Sequence, residues 1–394
     1  MDFSTLSGLA NRAAAIRRRQ RLQPMGGPGD KIFPPTYPAE RQGQPPQHVM
    51  ETRRVDGADV PCVLVDSVQS QANRLEEVLL ATLGTGEPGI PHLAVDFTAV
   101  DELADIGRLT SLDAPHRVFD AIIRDSELDG RRFPQTSLGV ALRKANLRNA
   151  TALFEASPSA LLFGAWNSTG EGGGLGAKFP RCLVSEIVGV GVAEGKRTGS
   201  RIDPLGVRRE VEVYEVGGDW TLEKPSGSKA KKVRPSEINH GNIAPSVQPL
   251  GVTVDYVDHT AVITFAGLRR IGLPSPDGEI DDRRDRAGQA VLAALGLIAL
   301  TAQDAAGYAL RSRCDLVVEA PTPFEIVHRD GRSESFELDV DGAIALLEAA
   351  VEAAKATGLP WSPAPVTLTP QARLAELVRQ SRLRALADEA PVED

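Results

Sequence analysis

Residues 61–80, PCVLVDSVQSQANRLEEVLL, pass directly from the pattern of a strand to the pattern of a helix. The apolar run at residues 63–65 predicts a short buried strand that ends at Asp66. Ser67 can then accept hydrogen bonds from the first free amides of a helix. The inner stripe of that helix is predicted to hold Ala72, Leu75, Val78 and Leu79. The stretch therefore predicts a strand followed at once by an amphipathic helix.

Beyond this unit, helix patterns are inserted among strand patterns. Apolar residues at helical spacing predict helices over residues 116–124, 137–149, 287–310, 340–357 and 371–387. Strands are predicted over residues 207–216 and 316–319, and hairpins over residues 252–265, turning at Asp258-His259-Thr260, and 324–338, turning at Asp330-Gly331. Because helices interrupt strands that can pair antiparallel, this order favours the α+β class. A ferredoxin-like or RNA-recognition core with large insertions is consistent with it.

The composition excludes several functional classes. Of 394 residues, 42% are hydrophobic and 25% are charged, which is typical of a globular protein with two or three domains or one large domain. The net charge of −9 excludes a uniformly basic coat for nucleic acid but allows local basic patches. Three cysteines, far apart and without metal-ligand spacing, argue against a disulfide framework and a structural zinc site.

No membrane or secretory segment is predicted. The N-terminal region lacks the apolar core of a signal peptide. The longest apolar run, residues 290–302, is shorter than the ~20 residues that cross a bilayer, so a buried helix is expected there. We therefore expect a cytoplasmic protein without a membrane partner.

The N-terminal region combines apolar helical spacing with a row of arginines. Leu6, Leu9 and Ile16 predict a helix over residues 4–22. Its other side would carry Arg12, Arg17, Arg18, Arg19 and Arg21. A solvated helix face would explain this pattern, but five arginines without a neighbouring carboxylate slightly favour an anionic partner. The proline- and glycine-rich residues 24–46 predict a loop.

Two other segments carry groups suited to phosphate. The start of the helix after Ser67 holds Gln69, Gln71, Asn73 and Arg74. Such a start usually serves as a cap, but amide and guanidinium donors at a helix N-terminus also suit a phosphate. Residues 224–242 form a loop that contains Lys224, Lys229, Lys231, Lys232 and Arg234, followed by His240 and Asn242. Exposed lysine loops are common, yet this one could bind the sugars and phosphates of RNA.

The glycine cluster at residues 170–178, GEGGGLGAK, matches the dinucleotide fingerprint only loosely. The predicted strand after it, and the absence of the Gly-Lys-Ser/Thr order of a P-loop, argue against a nucleotide cofactor. A tight or flexible loop is the simplest interpretation. A further interpretation is a backbone that approaches a nucleic-acid strand, with Lys178 and Arg181 on its phosphates.

No catalytic group is predicted. His116 and His240 have no sequence-local nucleophile, and the G-x-S-x-G elbow does not occur. The acidic residues 277–282 are followed at once by arginines, which favours a self-paired, solvated loop over a metal site. We therefore expect no metal and no cofactor.

Several long phrases are characteristic of one family. They are RLQP (21–24) with GGPGDKIFPPTY (26–37), DSVQSQANRLEEVLL (66–80), HRVFDAIIRDSELDG (116–130), RFPQTSLG (132–139), LLFGAWNSTGEGGGLGAKFPRCLVSEIVG (161–189) and RPSEINHGNI (234–243). From residue 21 to about residue 319, the chain resembles the RAMP-superfamily backbone subunit of the type I-G (formerly I-U) CRISPR effector complex. The final helix is less informative and could be an extension.

The resemblance implies a hand-like organisation. An RNA-recognition-type palm would occupy residues 61–360, with inserted helical fingers at about 84–182 and a thumb hairpin or loop at about 217–250. Residues 1–60 would hold the basic helix and the proline-rich segment, and residues 361–394 a C-terminal helical extension. Copies would stack head-to-tail along the CRISPR RNA, a contact that does not close on itself.

The resemblance also implies the function and the partners. The protein would hold the guide RNA by its backbone, contact target DNA through the guide heteroduplex, and assemble with copies of itself and other effector subunits. It would have no catalytic role. The expected RNA contacts are Arg17, Arg18, Arg19, Arg21, Gln69, Gln71, Asn73, Arg74, Trp166, Asn167, Ser168, Lys178, Arg181, Lys231, Lys232, Arg234, His240 and Asn242.

Two enzymatic alternatives stay open at this point. Relatives in the wider superfamily cleave RNA, so an RNA-processing endonuclease with His116 or His240 as general base is one. A nucleotide-dependent enzyme that uses the 170–178 loop is the other.

Overall fold

The computed structural model describes residues 1–39, 46–84, 88–167, 178–216, 219–224 and 230–389. The chain has a mixed α and β structure and divides into two compact units. Unit 1 consists of Met1–Ala193 and Thr253–Gln371, and unit 2 of Glu194–Val252 and Ala372–Asp394. Each unit is described by itself below.

Unit 1 contains most of the secondary structure. Its helices are α1 (Phe3–Arg12), α2 (Val68–Leu83), α3 (Ala121–Arg124), α4 (Ser137–Lys144), α5 (Thr151–Ala156), α6 (Pro158–Phe163), α7 (Phe265–Leu268), α8 (Asp282–Ala306) and α9 (Val340–Ala356). Its first strands are β1 (Ala13–Pro24), β2 (Thr36–Tyr37), β3 (Gln47–His48), β4 (Met50–Val55), β5 (Ala58–Asp66), β6 (Leu93–Asp96), β7 (Arg108–Thr110), β8 (Ser126–Leu128), β9 (Arg131–Arg132), β10 (Ala165–Trp166), β11 (Lys178–Phe179) and β12 (Leu183–Val190).

The numbering continues in chain order through unit 2. Its elements are β13 (Ala193–Arg201), β14 (Val213–Val216), β15 (Asp219–Thr221), β16 (Lys231–Val233), β17 (Ile243–Thr253) and α10 (Ala372–Glu389). The later strands of unit 1 are β18 (Tyr256–Thr264), β19 (Tyr308–Arg311), β20 (Cys314–Val318), β21 (Phe324–His328), β22 (Ser333–Phe336) and β23 (Val366–Pro370).

The centre of unit 1 is a nine-stranded antiparallel sheet. Its main path runs β19-β20-β1-β18-β12-β5-β4, and β21 joins it beside β1 and pairs with β22. Helix α8 packs against α1, α2, α6, α9 and β18, and so forms the middle of the core. By length and composition α8 could cross a membrane, but 83% of its apolar window is buried inside the protein. The burial fits the core helix that the sequence predicts.

The predicted helix over residues 4–22 is wrong beyond Arg12. Asp2 caps α1 by accepting a hydrogen bond from the Thr5 amide, and the chain becomes extended at Ala13. Along β1 the burial alternates with a period of two, so Arg18 and Gln20 point inward while the intervening arginines are exposed. Because polar residues occupy some of the buried positions, this alternation is not visible in the spacing of the apolar residues.

Hydrogen bonds to distant residues make the buried polar side of β1 possible. The Arg18 guanidinium donates to both carboxylate oxygens of Asp304 in α8. Gln20 donates to Asp304 and to the Tyr308 hydroxyl, and the His259 ring lies between Tyr308 and Ser185. A buried charge is tolerated only when it is paired in this way.

The same network explains a second wrong prediction. Asp258-His259-Thr260 is not a turn but the middle of β18, which pairs with β1 on one side and with β12 on the other. His259 occupies an inward position, opposite Gln20 on β1 and Ile187 on β12. By contrast, the β21–β22 hairpin and the helices α2, α9 and α10 agree with the predictions.

Other predicted elements are shorter in the structure. Residues 116–124 form a 3-10 turn at Arg117–Phe119 and then α3, and the helix predicted over 137–149 ends at Lys144. Only Val213–Val216 of the strand predicted over 207–216 is extended.

A second sheet in unit 1 joins two regions that are far apart in sequence. Its order is β7-β6-β23-β8-β9, with β6 and β23 parallel. Strand β23 therefore belongs to unit 1. The domain boundary proposed at residue 360 also falls inside unit 1, whose second segment ends at Gln371. Strand β1 likewise makes the proposed first segment, residues 1–60, part of the central sheet.

Unit 2 contains two small sheets and the C-terminal helix. One sheet pairs β13 with β17, and the other has the order β15-β14-β16. The region proposed as the thumb, residues 217–250, lies within this unit.

Candidate functional site

A cavity of about 760 Å³ lies in unit 1 between the start of α2 and the short β10–β11 hairpin. It is lined by Gln69, Asn73, Pro115, His116, Arg117, Leu147, Phe163, Gly164, Ala165, Trp166, Lys178, Phe179, Pro180, Arg181 and Arg270. The residues reach this cavity from α2, from the segment before α3, from the hairpin and from the segment after α7. The cavity is therefore a product of the tertiary structure.

The charge of the cavity is one-sided. Arg117, Lys178, Arg181 and Arg270 line it, and none of its described lining residues is acidic. The chain as a whole carries a net charge of −9. A concentration of cations in a concave site of an acidic protein favours an anionic ligand.

An exposed aromatic ring stands beside one of these cations. Trp166 pairs with Lys178 across the hairpin, and the Lys178 Nζ lies 4.6 Å from the centroid of the indole ring. Trp166 remains 48% exposed. An exposed ring next to a cation can stack on a base while the cation binds a phosphate.

The base of the hairpin is held by a buried ion pair. The Arg117 Nε donates to Glu76 of α2 at 2.8 Å, and a terminal nitrogen of the same guanidinium donates to the Gly164 carbonyl at 3.0 Å. Burial raises the pKa of the Glu76 carboxyl to about 7, against the opposing effect of the Arg117 charge. Burial, and then the charge of Arg117, lower the pKa of Arg181.

Arg181 has an unsatisfied donor in this site. Its buried Nε makes no hydrogen bond within the residues that the structure describes. Arg181 also lines the cavity. An unpaired buried donor is costly, so Arg181 is held in the wall of the cavity at an energetic cost.

Five of the predicted contacts come together in this cavity: Gln69, Asn73, Trp166, Lys178 and Arg181. Asn167 is buried directly after β10. Ser168 and the glycine cluster through residue 177 lie outside the described residues.

Three other residues predicted to contact RNA instead form hydrogen bonds within unit 1. Arg18 is buried in its pair with Asp304, and Gln71 is buried between Asp66 and Ser185. Arg74 donates to Asp66 as well. Arg18 and Gln71 therefore have no free surface for RNA in this structure, and we remove both from the candidate site.

The other predicted arginines of β1 lie on the open face of the central sheet. Arg17 forms an ion pair with Glu325, and Arg19 forms one with Asp258. Arg21 lies over the Tyr256 ring, with its guanidinium carbon 4.1 Å from the centroid. The acidic partners offset the charge of Arg17 and Arg19, so this face is a weaker anion site than the row of arginines predicts.

Unit 2 carries the second basic surface. Lys231 and Arg234 are exposed and form no salt bridge within the described part of the chain, whereas Lys232 pairs with Glu212. The Asn242 side chain accepts a hydrogen bond from the Asp203 amide at 2.7 Å and so holds its own loop. His240 is half-buried against Trp220.

Three functional candidates were missed in the sequence. Arg117 and Arg270 line the cavity, and Trp220, which is 44% exposed, contacts the His240 ring with 5.9 Å between the centroids. The sequence gives no signal for Arg270, because its place in the cavity depends on the position of α7. Trp220 was detectable as an aromatic residue close to the basic loop.

Comparison with known families finds one match, which covers the N-terminal part of the chain. Residues 16–194, which contain α2 and the β10–β11 hairpin, match the model of a family of CRISPR-associated proteins, and this match over part of the chain supports a CRISPR-associated protein. The matching family is described as CRISPR-associated protein GSU0053 (Cas_GSU0053). The match confirms the family resemblance drawn from the sequence phrases. A search of curated proteins found no match.

Proposed function

We propose that the protein is a non-catalytic backbone subunit of a type I-G, Cascade-like effector complex and that it binds CRISPR RNA. The observation that carries the proposal is the cavity of unit 1, where Lys178, Arg181 and Arg270 lie with an exposed tryptophan and no described lining residue is acidic. Phosphates would lie against Lys178 and Arg181, and a base would stack on Trp166. Phosphate neutralisation combined with stacking binds single strands with little dependence on sequence, as a guide-binding subunit requires.

The strand order of unit 1 supports an RNA-recognition-type palm. The strands β1, β12, β18 and β20, with α2 between the first two and α8 between the last two, follow the order β-α-β-β-α-β along the chain. Their spatial order is β20-β1-β18-β12. We propose that these elements are the palm and that the segments inserted between α2 and β12 are the fingers.

The partners follow from the same proposal. Target DNA would be contacted through the guide heteroduplex. Copies of the subunit would stack head-to-tail along the CRISPR RNA in the cytoplasm and assemble with other effector subunits. The basic surface of unit 2 would supply further contacts to the RNA backbone.

A salt titration tests the RNA-binding proposal. The protein is mixed with a labelled single-stranded RNA of repeat sequence, and binding is measured by fluorescence anisotropy over a range of salt concentrations. Lys178→Ala combined with Arg181→Ala should lower the affinity and reduce the slope of log K against log salt by about 0.7 per lost phosphate contact. Lys355→Ala is a matched control, because this lysine is exposed on α9 and pairs with Glu352 outside the cavity. An unchanged slope in the cavity variant would exclude the cavity as the RNA site.

Assembly is tested separately. The protein is expressed with and without a CRISPR array and examined by electron microscopy. Filaments that form only with the array are expected. Their absence, with RNA bound, would leave an RNA-binding protein that is not a backbone subunit.

The nuclease alternative has one observation in its favour, since His116 lines the cationic cavity. A general base beside a bound phosphate could activate a ribose hydroxyl. We expect no cleavage products when the protein is incubated with repeat RNA. Products that disappear in the His116→Ala variant would replace our proposal with this alternative.

A further inference from the structure

The two walls of the cavity are connected through one side chain. Gln69, Asn73 and Glu76 lie at positions i, i+4 and i+7 of α2, so they share one face of the helix. Gln69 and Asn73 line the cavity, whereas Glu76 is buried and bound to Arg117. Arg117 in turn donates to the Gly164 carbonyl, directly before the hairpin that forms the other wall.

Arg117 is held in an unusual backbone conformation. Its φ is +53°, in the left-handed region that a residue with a side chain rarely adopts. Residues in such regions persist when the surrounding structure determines them, and they cluster at functional sites. Here the surrounding contacts are those of its buried guanidinium with Glu76 and Gly164.

Gly164 is a close-contact position. Its φ is +83°, and a Cβ added there would lie 2.9 Å from the Phe179 carbonyl oxygen and 3.0 Å from the Arg181 Cγ. The backbone of Gly164 thus lies close to Phe179 in the opposite strand of the hairpin and to Arg181, two residues beyond that strand. A shift of the Gly164 carbonyl would be transmitted to both sides of the hairpin.

We infer that Glu76 and Arg117 are positioning residues for RNA binding, which set the distance between α2 and the hairpin that carries Trp166 and Lys178. The inference rests on the proposed RNA-binding function of the cavity. Neither residue needs to contact RNA. The pair fixes the hairpin so that the Trp166 ring and the Lys178 ammonium face the same RNA strand as Gln69 and Asn73. Because these groups are already in place, less entropy is lost when RNA binds.

The test uses one variant of each residue. Arg117→Lys keeps the positive charge but loses the forked donor that joins Glu76 to Gly164. Glu76→Gln keeps the shape of the side chain but loses its charge. We expect RNA affinity to fall roughly tenfold in Arg117→Lys, about the loss that follows removal of one stacked base, and to fall less in Glu76→Gln. Trp166 fluorescence, obtained as the difference from the Trp166→Phe variant, should change in the free protein.

A buried arginine elsewhere in unit 1 provides the matched control. Arg284 donates from Nε to the Leu273 carbonyl and from a terminal nitrogen to the Thr357 carbonyl, and it does not line the cavity. Arg284→Lys should lower the melting temperature as Arg117→Lys does, with RNA affinity and Trp166 fluorescence unchanged. A similar loss of affinity in both variants would assign the effect to general destabilisation and overturn the inference.

Two further outcomes separate this inference from the proposed function. If Trp166→Ala and Lys178→Ala weaken RNA binding while folded Arg117→Lys and Glu76→Gln bind normally, the positioning role is wrong and the RNA site remains. If Trp166→Ala and Lys178→Ala also bind normally, the RNA site itself is wrong. If Arg117→Lys does not fold, Glu76→Gln decides, because it retains a hydrogen-bond acceptor for Arg117.

Discussion

The ammonium of Lys178 lies 4.6 Å from the centre of the Trp166 ring, in a cavity whose other charged lining residues are arginines. The two residues are direct neighbours across β10 and β11, so the contact is built into the pairing of the hairpin. The glycine cluster lies between them in sequence and outside the described residues. The pair brings an exposed aromatic ring and a cation together at one place.

Removal of the Trp166 ring should weaken RNA binding without unfolding the protein. Base stacking on an aromatic side chain contributes about 1–3 kcal/mol, which corresponds to roughly five- to 150-fold in affinity for Trp166→Ala. Trp166→Phe should retain part of the affinity, because it keeps a smaller ring. Fluorescence anisotropy with single-stranded RNA measures both. The control is Tyr37→Ala, because Tyr37 is an exposed aromatic residue outside the cavity. An equal loss of RNA affinity in this variant would contradict the assignment of Trp166 to base stacking.

The two adjacent lysines of β16 should differ in their effect on RNA binding. Lys232 is paired with Glu212, whereas Lys231 forms no salt bridge among the described residues. Lys231→Ala should therefore reduce the salt slope by about 0.7, and Lys232→Ala by less, because Glu212 already offsets part of its charge. The salt titration described above gives both slopes. Equal slopes for the two variants would show that the Glu212 pair does not decide which lysine binds phosphate.

Two arginines that are neighbours in sequence should differ in their effect on stability. Arg18→Ala leaves Asp304 without its buried partner and should lower the free energy of unfolding by about 3 kcal/mol, the low end for a buried pair because Asp304 is 26% exposed. Arg19→Ala breaks an exposed pair with Asp258 and should lower it by less than about 1 kcal/mol. Urea unfolding measures both, and a larger effect from Arg19→Ala would contradict the placement of β1.

His259 should make the protein less stable in acid. Burial, and then the Arg18 charge, lower the pKa of His259 to about 3. The unfolded chain therefore takes up a proton near pH 6.5 that the folded protein takes up only near pH 3, and stability falls by about 1.4 kcal/mol per pH unit between these values.

The variant His259→Gln isolates this effect, because glutamine does not titrate and can still hydrogen bond with Ser185 or Tyr308. Urea unfolding at pH 7.5 and pH 5 should show a loss of stability that is about 2 kcal/mol smaller in the variant than in the unaltered protein. The same loss in both proteins would mean that His259 is protonated in the folded state.

Much of the candidate site could be predicted because its residues lie in recognisable local patterns. Gln69 and Asn73 were found at a capped helix start, and Trp166, Lys178 and Arg181 were found beside the glycine cluster. Arg270 reaches the cavity from the segment after α7, which no local pattern connects to α2. The sequence overestimates Arg17 and Arg19 as anion-binding residues, because their acidic partners Glu325 and Asp258 are more than 200 residues away in sequence.

The amino-acid sequence by itself determined the elements whose signals are local. The Ser67 cap and apolar stripe define α2, the Asp330-Gly331 turn defines the β21–β22 hairpin, and the long phrases define the family. Only the tertiary structure decided that residues 13–24 form a strand and that His259 lies inside one. The reason is physical: polar side chains such as Arg18 and His259 can be buried only where distant partners satisfy them, and local spacing carries no information about those partners.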